Sequence, residues 1–154
     1  MFIMRLAILD SGYSVSMCWI SKVLSLRGGE SYRFSGSNRL AQVGWFVGNS
    51  EGRCETCDDQ TLPIKQVHPV GQKKPNNWGL YDMSGNVPEW TFDGYGDYPG
   101  PSVTDPQGSP SEHRVIRGGG WYFDGESARV AHRQGFVPTV AGDITGFRIV
   151  RNAD

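Results

Sequence analysis

Residues 79–90 read GLYDMSGNVPEW, and this stretch predicts an irregular turn that carries two carboxylates. Asp82 and Glu89 flank a Gly85–Asn86 pair, which favours a sharp turn because both residue types tolerate left-handed backbone angles. Ca²⁺ prefers six to eight oxygen ligands, taken from carboxylates and from the backbone carbonyls of irregular turns. On spacing alone, a turn with an exposed Asp and a capping Glu is still favoured over a calcium site.

The composition around this stretch favours a single compact domain with many turns and short strands. The chain has 154 residues, with 21 Gly, 9 Pro, five Trp, six Tyr and seven Phe. That length is enough for one domain with a core, and the aromatic residues can hold irregular segments together because each buries a large area. A net charge of −1 with scattered basic residues argues against nucleic-acid and anionic-lipid partners.

The sequence predicts no membrane insertion and leaves the cellular compartment open. No apolar stretch approaches the roughly 20 residues of a transmembrane helix. The N-terminus lacks a full apolar region and a small-residue cleavage site, so it does not read as a signal peptide.

The three cysteines do not form a recognisable metal site. Cys54 and Cys57 form a lone CxxC, and Cys18 lies far from them. A zinc site needs a second pair or two nearby histidines, and only His68 follows within reach. A surface insertion with a disulfide or two free thiols is therefore favoured over a metal site.

Local patterns predict few regular elements. Apolar spacing from Ser14 to Leu26 predicts one helix, and Gly28–Gly29 is suited to ending it. Beyond the helix, the pattern predicts a short strand and turn at 30–38, an aromatic strand at 43–50, a long exposed loop at 50–77, and strands in ARVAHR (128–133) and GFRIVR (146–151).

Several motifs, in order along the chain, resemble those of the formylglycine-generating enzyme family, also called sulfatase-modifying factors. GLYDMSGNVPEW resembles the family signature G-L-Y-D-M-x-G-N-V-W-E-W. The likeness extends through SLRGGESYRFSGSN, HPVGQKKPNNWGLYD, HRVIRGGGW, ARVAHR and TGFRIVR. It implies an α+β fold that is irregular, loop-rich and C-type-lectin-like, with a small antiparallel sheet and few helices.

The resemblance also implies a division of the chain. Residues 27–151 resemble the C-terminal portion of the family domain. We expect residues 1–26 to be a divergent or truncated beginning with one helix, and residues 152–154 to be a tail. A missing N-terminal portion would expose apolar surface and strand edges.

A structural Ca²⁺ is the cofactor that the resemblance implies. In the family, positions matching Asp82 and Glu89 bind it through side chains, and positions matching Gly85 and Val87 bind it through backbone carbonyls. Pro88 stands where the family usually has Trp, a departure that need not touch the ligands. With the family pattern added, the calcium interpretation overtakes the simple turn.

The resemblance implies that the family's oxidation chemistry is absent. Family enzymes oxidise a substrate cysteine with O₂ and hold Cu(I) between two cysteines, because Cu(I) prefers soft thiolates. Gly120 occupies the family's serine position, and Phe123 and Ala128 occupy the two cysteine positions. Cys54 and Cys57 do not match that motif, so bound copper and formylglycine formation are not expected. A degenerate or unconventional oxidase and a non-functional gene fragment remain as alternatives.

What remains is a scaffold that displays a surface between Gly118 and Ile144, for an unknown protein or small-molecule ligand. Aromatic side chains beside adaptable polar groups are typical of recognition surfaces. The region also resembles the variable regions of proteins diversified by retroelements. The candidate ligand-binding residues are Tyr122, Phe123, Asp124, Glu126, His132, Gln134, Phe136 and Asp143. For Tyr122, Phe123 and Phe136, packing within the domain is an equally good interpretation.

Four arginines allow two interpretations. Arg117, Arg129, Arg133 and Arg148 could form a pocket for an anionic ligand. The favoured alternative is that they pair with acids and backbone carbonyls, because the five donors of a guanidinium can tie irregular loops together.

Overall fold

The computed structural model describes residues 5–7, 28–53, 63–97, 111–139 and 144–148. The elements are β1 (Arg5–Ala7), α1 (Leu40–Val43), β2 (Glu51–Arg53), β3 (Pro63–Lys65), β4 (Glu89–Gly94), β5 (Arg114–Arg117), a 3₁₀ helix (Gly125–Ala128), β6 (Gln134–Phe136) and β7 (Gly146–Arg148). Small sheets, little helix and long irregular connections confirm the predicted loop-rich α+β class.

The main sheet has five strands in the order β1-β7-β4-β5-β6. All its pairs are antiparallel except β4–β7, which is parallel. Glu89 begins β4 in the middle of this sheet, opposite Arg117 of β5 and Gly146 of β7. The residues before Glu89 therefore enter the centre of the sheet directly.

The core lies on the irregular segments as much as on the sheet. One buried cluster contains Leu80, Met83 and Val130, and a second contains Phe34, Leu40, Val43 and Ala128. All eight residues from Asp82 to Glu89 are buried. We call this segment the buried loop; its polar groups need partners inside the protein, because an unsatisfied buried polar group is costly.

Asn86 links the buried loop to three other segments. Its backbone N–H donates to the carbonyl of Trp45 at 2.7 Å, and its carbonyl accepts from the N–H of Trp121 at 2.7 Å. Its side chain accepts from the N–H of His68 at 3.0 Å and donates to the His68 carbonyl at 2.9 Å. The φ of +67° at Asn86 makes this arrangement possible, since asparagine tolerates the left-handed region.

The predicted aromatic strand at 43–50 is wrong. Val43 ends helix α1, and the N–H of Gly44 donates back to the Leu40 carbonyl at 2.9 Å. The following turn is held by Asn49, whose side chain accepts from the N–H of Phe46 at 2.8 Å and donates to the Gly44 carbonyl at 3.1 Å. Such side-chain bonds give the backbone an alternative to strand pairing.

Two further local predictions are corrected. The predicted strand at 30–38 is a turn closed by a single bridge between Phe34 and Ser37. The predicted exposed loop at 50–77 contains a two-stranded sheet, in which Gly52 of β2 lies opposite Ile64 of β3. It also contains the buried Asn76, whose side chain accepts from the backbone N–H groups of Trp78 and Leu80.

The ARVAHR segment is not a strand. Ala128 ends the 3₁₀ helix, and the N–H of His132 donates to the Arg129 carbonyl at 3.0 Å in a turn. GFRIVR is confirmed as a strand over Gly146–Arg148. Strand β5 was not predicted from HRVIRGG, although its Val115 and Ile116 are core residues.

Several sequence predictions fall outside the described residues. They concern the helix at 14–26, the CxxC at Cys54 and Cys57, the ligand candidate Asp143 and the tail at 152–154. The described part of residues 1–26 is β1, which pairs with β7. Within the described ranges, no helix has both the length and the apolar character needed to span a bilayer.

Candidate functional site

The two carboxylates of the buried loop lie inside the protein. Asp82 and Glu89 are each only 2% exposed, so the interpretation of an exposed Asp and a capping Glu is wrong. Asp82 has a φ of +52°, and its Oδ2 accepts from the N–H of Gly71 at 2.8 Å. The Glu89 carboxylate accepts two bonds from Arg148, from Nη2 at 2.9 Å and from Nε at 3.1 Å.

Arg148 joins the two ends of the buried loop. Besides pairing with Glu89, its Nη2 donates to the carbonyl of Tyr81, the residue before Asp82, at 3.0 Å. Glu89 and Arg148 form an ion pair with both side chains largely out of solvent. A bidentate ion pair of this kind is the geometry in which a buried charge can be stable.

The buried loop offers carboxylate and carbonyl oxygens, which are the ligand atoms that a hard cation prefers. In the described residues, no group of three or more Asp, Glu, His or Cys side chains comes together. A metal ion at the buried loop would therefore need backbone carbonyls beside Asp82 and Glu89. Ca²⁺ accepts such a mixed set, whereas Zn²⁺ and Cu(I) prefer nitrogen and sulfur ligands.

A shallow cleft opens beside β5 and the 3₁₀ helix. About 200 Å³ of space, open to solvent, lies between its walls. The lining residues come from four segments and are Pro88, Ile116, Arg117, Gly119, Phe123, Ser127, His132 and Gln134. Three of the predicted ligand residues, Phe123, His132 and Gln134, line this cleft. Ser127, Ile116 and Gly119 were not among the predicted ligand residues.

Four other predicted ligand residues, Tyr122, Asp124, Glu126 and Phe136, do not line the cleft. Tyr122 is 64% exposed, and Phe136 packs edge-on against Trp90 with ring centroids 6.1 Å apart. Asp124 accepts from the N–H and the hydroxyl of Ser127, both at 3.0 Å, and so caps the 3₁₀ helix. Glu126 forms ion pairs with Arg33 and with Arg129.

Two groups near the cleft have altered acidities. The hydrogen bonds from Ser127 lower the pKa of Asp124, because they favour its charged form. Burial lowers the pKa of His132, and the charge of Arg129 lowers it further, while Asp124 raises it. His132 is therefore mostly neutral at pH 7, and its ring can accept or donate a hydrogen bond.

The four arginines largely follow the favoured interpretation. Arg129 pairs with Glu126 and Arg148 with Glu89, and Arg133 lies over the ring of Tyr95 at 5.3 Å. Arg117 donates from Nη1 to the carbonyl of His132 at 3.0 Å. Only Arg117 of these four lines the cleft.

Two departures from the expected family pattern, at Gly120 and Pro88, lie close to each other. A Cβ built on Gly120, which the resemblance matches to the family's serine, would lie 2.7 Å from Cδ of Pro88, which it matches to the family's tryptophan. Real Cβ atoms do not approach other atoms this closely. The glycine and the proline are therefore structurally coupled, although 32 positions separate them in sequence.

We expect Gly120→Ser to lower the free energy of unfolding by about 1–3 kcal/mol, as overpacking usually does. Pro88→Ala removes the clashing Cδ, so the same serine should cost less in that background. Urea unfolding of both single variants and the double variant measures this interaction energy. Equal costs of the serine in the two backgrounds would show that the contact is unimportant.

Comparison with known proteins indicates the family to which the chain belongs. The family model described as the sulfatase-modifying factor enzyme 1-like domain matches residues 23–153. Chaperone protein LppX of Paenibacillus barcinonensis is 32% identical over 127 residues, covering 80% of this chain and 42% of the relative. The inactive C-alpha-formylglycine-generating enzyme 2 of Mus musculus is 40% identical over 93 residues, covering 56% of this chain and 27% of the relative.

A solved structure supports the same placement. Treponema denticola variable protein 1 superposes with a TM-score of 0.69 at 32% identity, covering 82% of this chain and 43% of that protein. The chain thus spans less than half the length of these relatives. The family model matches most of the chain, and the structure contains the buried loop, the mixed sheet and the GFR strand described above. The chain therefore belongs to the formylglycine-generating enzyme (sulfatase-modifying factor) family and has its C-type-lectin-like fold.

Proposed function

We propose that this chain is a non-catalytic family domain that binds a protein or small-molecule ligand in the cleft. The observation that carries the proposal is the position of Phe123. It stands at the position of the family's first cysteine and lines the cleft. An aromatic wall beside a hydroxyl, an imidazole and an amide suits recognition, because a few polar groups fix the orientation of an otherwise apolar contact.

The residues at the other catalytic positions support the same conclusion. Ala128, at the second cysteine position, is 0% exposed and packs in a core cluster with Phe34, Leu40 and Val43. Gly120, at the serine position, is held against Pro88. None of the three side chains can ligate Cu(I), which requires soft ligands such as thiolates.

Named relatives provide precedents for a role without oxidation. The mouse relative is named as an inactive form of the enzyme, and the Paenibacillus relative is named as a chaperone. Both names concern those proteins, and they make a binding function for the present chain reasonable by analogy.

The absence of catalysis is tested with a peptide that contains C-x-P-x-R, in the presence of Cu(I), O₂ and a reductant. We expect the cysteine to remain unmodified by mass spectrometry. An active formylglycine-generating enzyme serves as the positive control under the same conditions. Formation of formylglycine by the present chain would contradict the proposal and favour the unconventional oxidase.

Binding in the cleft is tested with a panel of N-acetyl amino-acid amides, one for each side chain, using NMR of the labelled protein. We expect at least one class of probe to shift the amide signals of Phe123, Ser127 and Gln134. Phe123→Ala should weaken that binding about tenfold, since it removes an apolar wall. Tyr122→Ala is the matched control, because this neighbour does not line the cleft. A panel without any cleft binder would contradict the proposal.

We further propose that the buried loop holds a structural Ca²⁺. The side chains of Asp82 and Glu89 and the carbonyls of Gly85 and Val87 would bind it. The support is the burial of both carboxylates and the left-handed turns that fold the loop, at Asp82, Gly85 and Asn86. A bound cation would neutralise buried negative charge and tie the loop to β4. Glu89 would then be shared between the metal ion and Arg148.

For calcium, we expect the thermal midpoint to rise with added Ca²⁺ relative to chelator. At a free concentration of 100 times Kd, linkage gives about 2.7 kcal/mol of stabilisation. Asp82→Asn should abolish this dependence, because it keeps the shape but removes the charge. Asp97→Asn, at an exposed position, should retain it. Equal melting of the original protein with and without chelator would remove the calcium proposal.

A further inference from the structure

We infer that the group held in the cleft is a carboxylate, bound by the guanidinium of Arg117. The inference rests on the proposed function, since it names the chemical class of the ligand that the cleft takes. It covers an Asp or Glu side chain of a protein as well as a small carboxylic acid.

The first support is the environment of Arg117. Arg117 is only 6% exposed, and its Nη1 donates a hydrogen bond to the His132 carbonyl. No ion pair between Arg117 and an acid occurs in the part of the chain that the structure describes, where the paired cations are Arg33, Lys65, Arg129 and Arg148. Burying a cation without a counter-charge is costly, so an anion entering the cleft would offset this cost.

Three described acids, Glu89, Asp124 and Glu126, are engaged with other residues. Glu89 lies opposite Arg117 in the β4–β5 register, but both of its oxygens accept bonds from Arg148. Glu126 pairs with Arg33 and Arg129. Asp124 caps the 3₁₀ helix through Ser127. A counter-ion for Arg117 is therefore most simply supplied by a ligand.

The dimensions of the cleft favour a small group. The space of about 200 Å³ between its walls includes open solvent, so the walls can enclose only a small part of a ligand. Pro88, Ile116 and Phe123 provide an apolar wall for a few methylene groups, and Ser127 and Gln134 offer hydrogen bonds beside Arg117. A short aliphatic acid or one acidic side chain has this combination of features.

A carboxylate has the geometry that one lining arginine can bind. It can take two parallel bonds from one guanidinium, which suits a site with a single buried arginine.

The decisive experiment compares acids with their neutral amides of the same shape. We expect N-acetyl-glutamate amide and acetate to shift the cleft signals at about tenfold lower concentration than N-acetyl-glutamine amide and acetamide. Equal binding of acid and amide would overturn the inference. Binding of only neutral or basic probes would overturn it too and leave the proposed function intact. No cleft binding by any probe would contradict both.

Variants of Arg117 assign the effect to this residue. Arg117→Met should abolish the preference for acids, and Arg117→Lys should keep a weaker one. Arg129→Gln is the matched control, because Arg129 is nearby but does not line the cleft. An unchanged acid preference in a folded Arg117→Met protein would overturn the inference.

A measurement on the original protein tests the inference even if the Arg117 variants fail to fold. A carboxylate on Arg117 would lie close to His132 and raise the pKa of that ring, whereas an amide would not. An NMR pH titration of His132 in the presence of saturating acetate or acetamide measures this pKa directly. An identical His132 titration curve in both would overturn the inference.

The same assay separates the two sources of the carboxylate. A capped peptide with one internal Glu represents a protein partner, and free glutarate represents a small acid. Tighter binding of the capped peptide would support a protein acidic side chain, and tighter binding of glutarate would support a small acid. Failure of both to exceed their amide analogues would overturn the inference.

Discussion

Glu89→Ala is expected to lower the free energy of unfolding by about 3–5 kcal/mol, because it leaves the Arg148 guanidinium buried without its carboxylate. Both side chains are nearly excluded from solvent, so water screens this pair little. Glu89 also begins the central strand of the main sheet, so disorder at this point would spread to both neighbouring strands. Urea unfolding in the presence of a chelator measures the effect without any contribution from a metal ion.

The double variant Glu89→Met/Arg148→Met is the control for this prediction. Replacement of a complete buried ion pair by apolar residues of similar volume is often close to neutral. We therefore expect the double variant to be more stable than Glu89→Ala. A cost below about 1 kcal/mol for Glu89→Ala would mean that the ion pair is unimportant for folding.

Gly85→Ala is expected to cost about 3 kcal/mol or more. Gly85 has a φ of +83°, where an L-residue with a Cβ is strained. The added Cβ would also lie 2.4 Å from the carbonyl oxygen of Trp45 and 2.6 Å from its nitrogen. Backbone atoms cannot rotate away as a side chain can, so the overpacking penalty adds to the strain. Thermal and urea unfolding measure the total.

Gly79→Ala is the matched control. Gly79 has a similar φ of +72°, but a Cβ built there meets nothing within 4 Å. It should therefore show the conformational strain alone, about 1 kcal/mol. The difference between the two variants is the packing contribution at Trp45. Equal costs at Gly79 and Gly85 would show that the neighbouring backbone yields easily.

The motifs of the sequence were sufficient to predict the family, the loop-rich class and strand β7. They succeed because glycine, asparagine and proline act locally, through the backbone angles that each residue allows. The buried loop illustrates this, since Gly85 and Asn86 have the positive φ angles that their residue types favour. The order of several such motifs along one chain is far more specific than any single turn.

Local patterns were misleading where side chains bond to nearby backbone. VGWFVGNS has the aromatic content of a strand, but Asn49 folds it into a turn through Phe46 and Gly44. ARVAHR alternates like a strand, but the cap at Asp124 starts a 3₁₀ helix just before it. In both segments the competing bonds come from residues whose partners the alternation pattern does not reveal.

The sequence by itself determined the chemistry available in this protein. No cysteine occurs between Gly118 and Arg133, two carboxylates flank a Gly–Asn turn, and aromatic and polar groups lie near residue 123. Only the tertiary structure decided how these groups are used. It buried Asp82 and Glu89, paired Glu89 with Arg148, set Gly120 against Pro88, and brought Arg117 into one cleft with Phe123 and His132. The physical reason is that burial and pairing depend on contacts between segments far apart in the chain. Residue types and spacings indicate local backbone preferences. They do not indicate which charge or ring from a distant part of the chain will contact a given residue.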